Sequence, residues 1–144
     1  MRKMMGVLGM VWVLAAPAAA AARVADFAWT QVKTSAGLQT AGRSVSVVFV
    51  PGPNNTVPTG ARITRVHVSR NYAGSARIGT QVCWGAPTGR CATVRGAQHD
   101  THAFDGLPAQ GPLWLVYRVE GWGASRPPLF VRGTITVWFT EKLH

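Results

Sequence analysis

The sequence predicts an all-β protein: a single-domain antiparallel β-sandwich of about eight strands, with a small β-barrel as the runner-up. Three observations carry this. Beyond Arg23 apolar side chains recur every second residue in short runs, which puts one face of each run in a core and the other in water. The runs are separated by turn chemistry: Pro51-Gly52-Pro53-Asn54-Asn55, Ala86-Pro87-Thr88-Gly89, Asp105-Gly106-Leu107-Pro108 and Arg126-Pro127-Pro128. No stretch after Arg23 carries a convincing helical period, and a sheet with one apolar face is most readily buried by a second sheet.

Taken in order, the runs predict strands over 27–34, 44–50, 62–70, 78–84, 90–95, 98–104, 113–120, 129–131 and 134–140. The last is the clearest. Ile135, Val137 and Phe139 share one face and Thr134, Thr136, Trp138 and Thr140 the other, so it should be half buried. In 113–120 both faces begin apolar, with Leu113, Leu115 and Tyr117 alternating with Trp114 and Val116. That pattern suits a central strand covered on both sides over part of its length.

Residues 1–22 read as a signal peptide. Arg2 and Lys3 form a basic start, an apolar stretch follows, and Pro17 breaks it before an alanine run that offers cleavage sites up to Ala22. The apolar stretch is shorter than the ~20 residues needed to span a bilayer. The expected organisation is therefore a signal peptide over 1–22 and a sandwich domain over 23–144, exported to the periplasm. Cleavage would remove Arg2 and Lys3 and leave a charge of +8, against +10 for the whole chain. Such an excess of base favours anionic partners: phospholipid head groups, cell-wall anions or an acidic protein face. Nucleic acid is excluded, because no recognition motif is present and the compartment holds little of it.

Cys83 and Cys91 are the only cysteines, and they lie on the two arms of a predicted hairpin over 78–94. In an oxidising compartment this pair is expected to form a disulfide. Cys-x-x-Cys redox chemistry needs a narrower spacing, and zinc needs four ligands where two cysteines supply half. A metal pair or free thiols remain the other roles open to them.

Enzyme chemistry finds little to work with. Asp26, Asp100, Asp105, Glu120 and Glu141 stand in no acid–base or metal motif, and Asp105 before Gly106 reads as a turn residue. Gly-x-Ser-x-Gly and a phosphate-cradling glycine loop are absent, so neither catalytic residues nor a cofactor is predicted. His99 and His102, three apart, would face opposite sides of a strand and could meet at a metal only on a loop, so no metal site is predicted. Trp84, Trp122 and Trp138 could serve as sugar platforms, though filling a sandwich core is the commoner use of the indole. Trp122, flanked by Gly121 and Gly123, is the best placed of them. The arginines either gather in a patch or spread over a solvated surface. Arg118, Trp122 and Arg132 are the candidate partner-binding residues.

The order of landmarks resembles the FlhE family of exported flagellar accessory proteins. These are Tyr72, Gln81-Val82-Cys83, Arg90-Cys91, Phe104-x-Gly106, Pro112-Leu113, Tyr117-Arg118-Val119-x-Gly121-x-Gly123, Pro128-Leu129 and Ile135-Thr136-Val137-Trp138-Phe139. The likeness runs from about Ile63 to Phe139 and more loosely back to Trp29; the turn region over 51–58 and Trp138 depart from it. It implies a small periplasmic β-sandwich without catalytic residues, encoded with the flagellar export machinery. The implied partners are the export apparatus or rod proteins, and the implied role is limiting proton leak through the export gate or chaperoning assembly. A periplasmic carbohydrate- or cell-wall-binding module is the alternative.

Overall fold

The computed structural model describes residue 9 and residues 27–141. The predicted signal peptide therefore lies, apart from Gly9, outside the described residues. Among the described residues there are eight strands: β1 (Phe27–Thr34), β2 (Ser44–Phe49), β3 (Arg62–Asn71), β4 (Arg77–Trp84), β5 (Arg90–Val94), β6 (Gln98–Thr101), β7 (Leu113–Gly121) and β8 (Arg132–Thr140). They form two four-stranded sheets, ordered β1-β8-β3-β6 and β2-β7-β4-β5, with every pairing antiparallel. This is the predicted sandwich, and the barrel alternative falls away.

The period-two pattern does what it predicts. Ile135, Val137 and Phe139 of β8 and Leu113, Leu115, Tyr117 and Val119 of β7 face the inter-sheet core, joined by Trp29, Phe49, Ile63, Val66, Val68 and Val82. Burying each Val, Leu, Ile or Phe side chain of this kind stabilises by about 1.5–3 kcal/mol. β7 is central, and on its outer face Trp114 and Val116 are half buried. The indole of Trp29 donates to the Ala109 carbonyl at 3.0 Å, which ties β1 to the connection before β7.

Two predicted strands are corrected. The segment 129–131 is not a strand of its own, because it meets only the short return after β1: Leu38 and Leu129 exchange backbone hydrogen bonds at 2.8 and 3.0 Å, and Ser35 binds Val131. Pairing over so few residues makes an isolated bridge rather than a ladder. β6 stops at Thr101 instead of Phe104, because His102 to Gly106 turn: Asp105 N–H donates to the His102 carbonyl at 3.2 Å, and Gly106 takes a positive φ of 83°. The turn role assigned to Asp105-Gly106 holds.

Among the described residues only β4 and β5 are both consecutive and hydrogen-bonded to each other, so the cysteine hairpin is the one connection that stays within a sheet. Every other connection crosses between sheets. Because strands alternate in direction, connections gather alternately at two ends of the sandwich. The upper end carries 35–43, 72–76, 95–97 and 122–131; the lower end carries 50–61, 85–89 and 102–112.

Candidate functional site

The cysteine pair is directly opposed in the β4–β5 register and forms a disulfide with S–S 2.01 Å and Cα–Cα 4.0 Å. Alternation puts it on the outer face of its sheet, in register with Trp114, where Cys83 is buried and Cys91 exposed. The disulfide staples the hairpin and leaves no free thiol among the described residues.

The histidines do not converge. His67, which has no evident partner in the sequence, pairs across strands with Asp100, Nδ1 to Oδ1 2.8 Å. The hydrogen bond from His67 is the main cause that holds the Asp100 carboxyl below its ordinary range. His102 instead meets Asp105 at 3.0 Å. Among the described residues no three His, Cys, Asp or Glu side chains gather into a metal-binding group.

The three tryptophans are each half buried. Trp122 is half buried and packs against the core. Trp84 is half buried, with its Nε1 donating to the Pro108 carbonyl at 3.2 Å. Arg65 lays its guanidinium over the Trp138 ring, 3.9 Å from the centroid.

The basic residues, by contrast, are polarised. Arg43 precedes β2, Arg77 opens β4, Arg95 follows β5, Arg118 lies near the end of β7, Arg126 sits in the loop to β8 and Arg132 opens β8. All six are exposed and all belong to the upper end, with half-buried Lys33 beside them. Glu120 is the one carboxylate there among the described residues. Among the described residues the lower half holds Arg62, Arg65 and Arg90, offset by Asp105 and Glu141, with Asp100 at mid-height opposite His67. Arg118 and Arg132 share the upper end but point from opposite outer faces, one from each sheet. The arginines therefore encircle one end instead of covering one face.

Arg70 points inward at this end and joins the two sheets. Its Nη1 donates to the Ile78 carbonyl at 2.5 Å and to the Thr80 hydroxyl, and its Nε to the Gly96 carbonyl at 3.1 Å. The loops themselves are locked together by two serines. The Ser125 hydroxyl accepts from the Ser75 and Ala76 N–H groups at 2.9 and 3.2 Å, and the Ser75 hydroxyl accepts from Ala124 N–H at 2.9 Å. Between them runs a groove of about 470 Å³, walled by Ala73, Gly74, Ala124, Arg126, Pro128 and Phe130. Phe130, 54% exposed, is the most open large apolar side chain among the described residues. On the adjoining sheet face Ser44, Gly79, Gln81, Thr93, Arg118 and Glu120 ring a polar dish of about 310 Å³.

Arg126, Phe130 and the serine clasp were not among the predicted site residues. The sequence signal for them is a phenylalanine that follows Arg126 and the Pro127-Pro128 pair and precedes Arg132.

Fold and site together define a class: a small, disulfide-stapled β-sandwich whose loop-built upper end is basic and apolar-tipped. Residues 35–139 match the family model for flagellar protein FlhE, and the chain belongs to the FlhE family. A solved crystal structure of FLHE is similar in fold, with a TM-score of 0.64 and 24% identity over 81% of this chain and 98% of the other. Comparison with curated proteins found no match.

Proposed function

We propose that this protein acts in the periplasm as a non-catalytic accessory of the flagellum. Its upper end would bind the outer surface of the export apparatus or rod, and so limit proton leak through the export gate or chaperone assembly. The observation that carries this reading is the FlhE family match over residues 35–139. The disulfide supports it, since such bonds persist in oxidising compartments. An exported domain without catalytic groups can influence a membrane exporter only by occupying its surface or its emerging substrates. A ring of arginines speeds and orients encounter with an acidic face.

Deleting the gene tests this. The deletion strain should show disturbed flagella, or a cytoplasmic pH lowered only when the export apparatus is assembled, and the intact gene should restore both. Parental flagellation, motility and pH homeostasis, with adhesion or cell-wall binding lost instead, would contradict the reading and favour a carbohydrate-binding module.

A further inference from the structure

We propose that the upper end docks on an anionic phospholipid surface, with Phe130 entering the headgroup layer and the surrounding arginines on lipid phosphates. The inference concerns a second partner and does not depend on the flagellar role.

The shape of the charge argues for a plane. Arg118 and Arg132 leave opposite outer faces of the sandwich, and Arg77, Arg95 and Arg126 lie among the loops and strand ends of the same end. A peptide lying in the groove would meet Arg126 alone among the arginines, since that is the one that walls it. A flat anionic surface approached end-on meets them all. Among the described residues only Glu120 opposes the attraction there.

The apolar tip is placed accordingly. Phe130 stands 54% exposed, four residues after Arg126 and two before Arg132, with Pro128 beside it. An aromatic ring flanked by arginines suits a membrane interface, where the ring enters the headgroup boundary and the cations stay with the phosphates. The serine clasp between 75 and 125 holds the tip in shape, so insertion requires no refolding of the loop. The described chain leaves from the lower end at both Phe27 and Glu141, clear of this surface.

The test is co-sedimentation of the purified protein with vesicles of phosphatidylethanolamine and phosphatidylglycerol, against vesicles of phosphatidylcholine alone, at low and physiological salt. Binding to the anionic vesicles should be strong and salt-dependent, and binding to neutral ones negligible. Arg126→Gln with Arg132→Gln should lower partitioning about 30-fold, taking roughly five-fold per basic residue at the surface. Phe130→Ser should weaken binding even at high salt, while Arg62→Gln with Arg90→Gln at the lower end should leave it unchanged. All these are surface changes, and an unchanged melting temperature confirms an intact fold. Absence of anionic-vesicle binding, or equal loss from the lower-end pair, would overturn the proposal. So would capture of poly-glutamate without vesicle binding, which would assign the charge to an acidic protein. Failure here leaves the deletion phenotype untouched, so the two readings fall separately.

Discussion

Replacing Tyr117 with phenylalanine should stabilise this protein. The Tyr117 ring is fully buried between the sheets, and its hydroxyl has no hydrogen-bond partner among the described residues. An unpartnered buried polar group costs about 1–3 kcal/mol. Phenylalanine keeps the ring and removes only that atom, so the expected gain is about 1 kcal/mol, or roughly 3–6 °C in Tm for a domain of this size. Gly133 across the core sharpens the test. A methyl group there would run into the Tyr117 hydroxyl and come within 2.7 Å of the Leu115 Cδ1. Gly133→Ala should therefore cost about 1–3 kcal/mol by overpacking. The penalty should shrink when Tyr117 is already phenylalanine, since residues in contact couple.

The same hydroxyl sets the alkaline behaviour. Burial pushes its pKa far above the ordinary tyrosine value, against a smaller opposing effect from the Arg70 charge. Folding thus favours the protonated form. Nothing changes below about pH 10, and above it the unfolded chain ionises first, so stability falls as pH rises. The phenylalanine variant should lack that part of the slope. Urea denaturation of the four proteins of the cycle, near neutrality and at about pH 11, measures both effects. A Tyr117→Phe variant less stable by 1 kcal/mol or more would refute the reasoning, because the hydroxyl would then be hydrogen-bonded.

Three further outcomes are expected. Mass spectrometry of alkylated protein from the periplasm should find Cys83 linked to Cys91 and an N-terminus created by a cut somewhere from Ala20 to Ala22, and two free thiols would contradict it. Reducing the disulfide should cost roughly 2 to 3 kcal/mol in denaturant midpoint experiments, given the short loop it closes. The Asp100 carboxyl, followed by NMR, should titrate below the ordinary value of about 3.9 and return toward it in His67→Ala. Its folded-state pKa is depressed, so the contribution of the pair is present above that ordinary value and lost as pH falls through the lowered one.

The strands and the disulfide were legible because both rest on local pattern: period-two burial writes itself into each run, and the hairpin needs only two arms and a turn. Residues 129–131 misled for the same reason. Leu129 and Val131 alternate as strand residues do, yet they bridge only to the return after β1. That miscount hides the basic end. In an antiparallel sandwich alternate connections share an end, so counting strands along the sequence sorts loops into two groups. With 129–131 counted as a strand, Arg126 and Arg132 fall in different groups; with it removed, both join Arg43, Arg77 and Arg95. The half-burial of Trp122 was not legible either. Flanking glycines describe backbone freedom and say nothing of the core surface against which the ring lies. His67 and Asp100 meet only through the β3–β6 register, which no local pattern specifies.

The account turns on the upper end being the working surface of a flagellar protein. The direct measurement is complementation of a deletion strain with Arg118→Glu and Arg132→Glu together, set beside Arg62→Glu and Arg90→Glu, reading swimming, flagellar number and cytoplasmic pH at equal protein levels. The upper-end pair should fail to restore the parental state while keeping its melting temperature, and the lower-end pair should restore it fully. Full rescue by the upper-end pair would contradict the account.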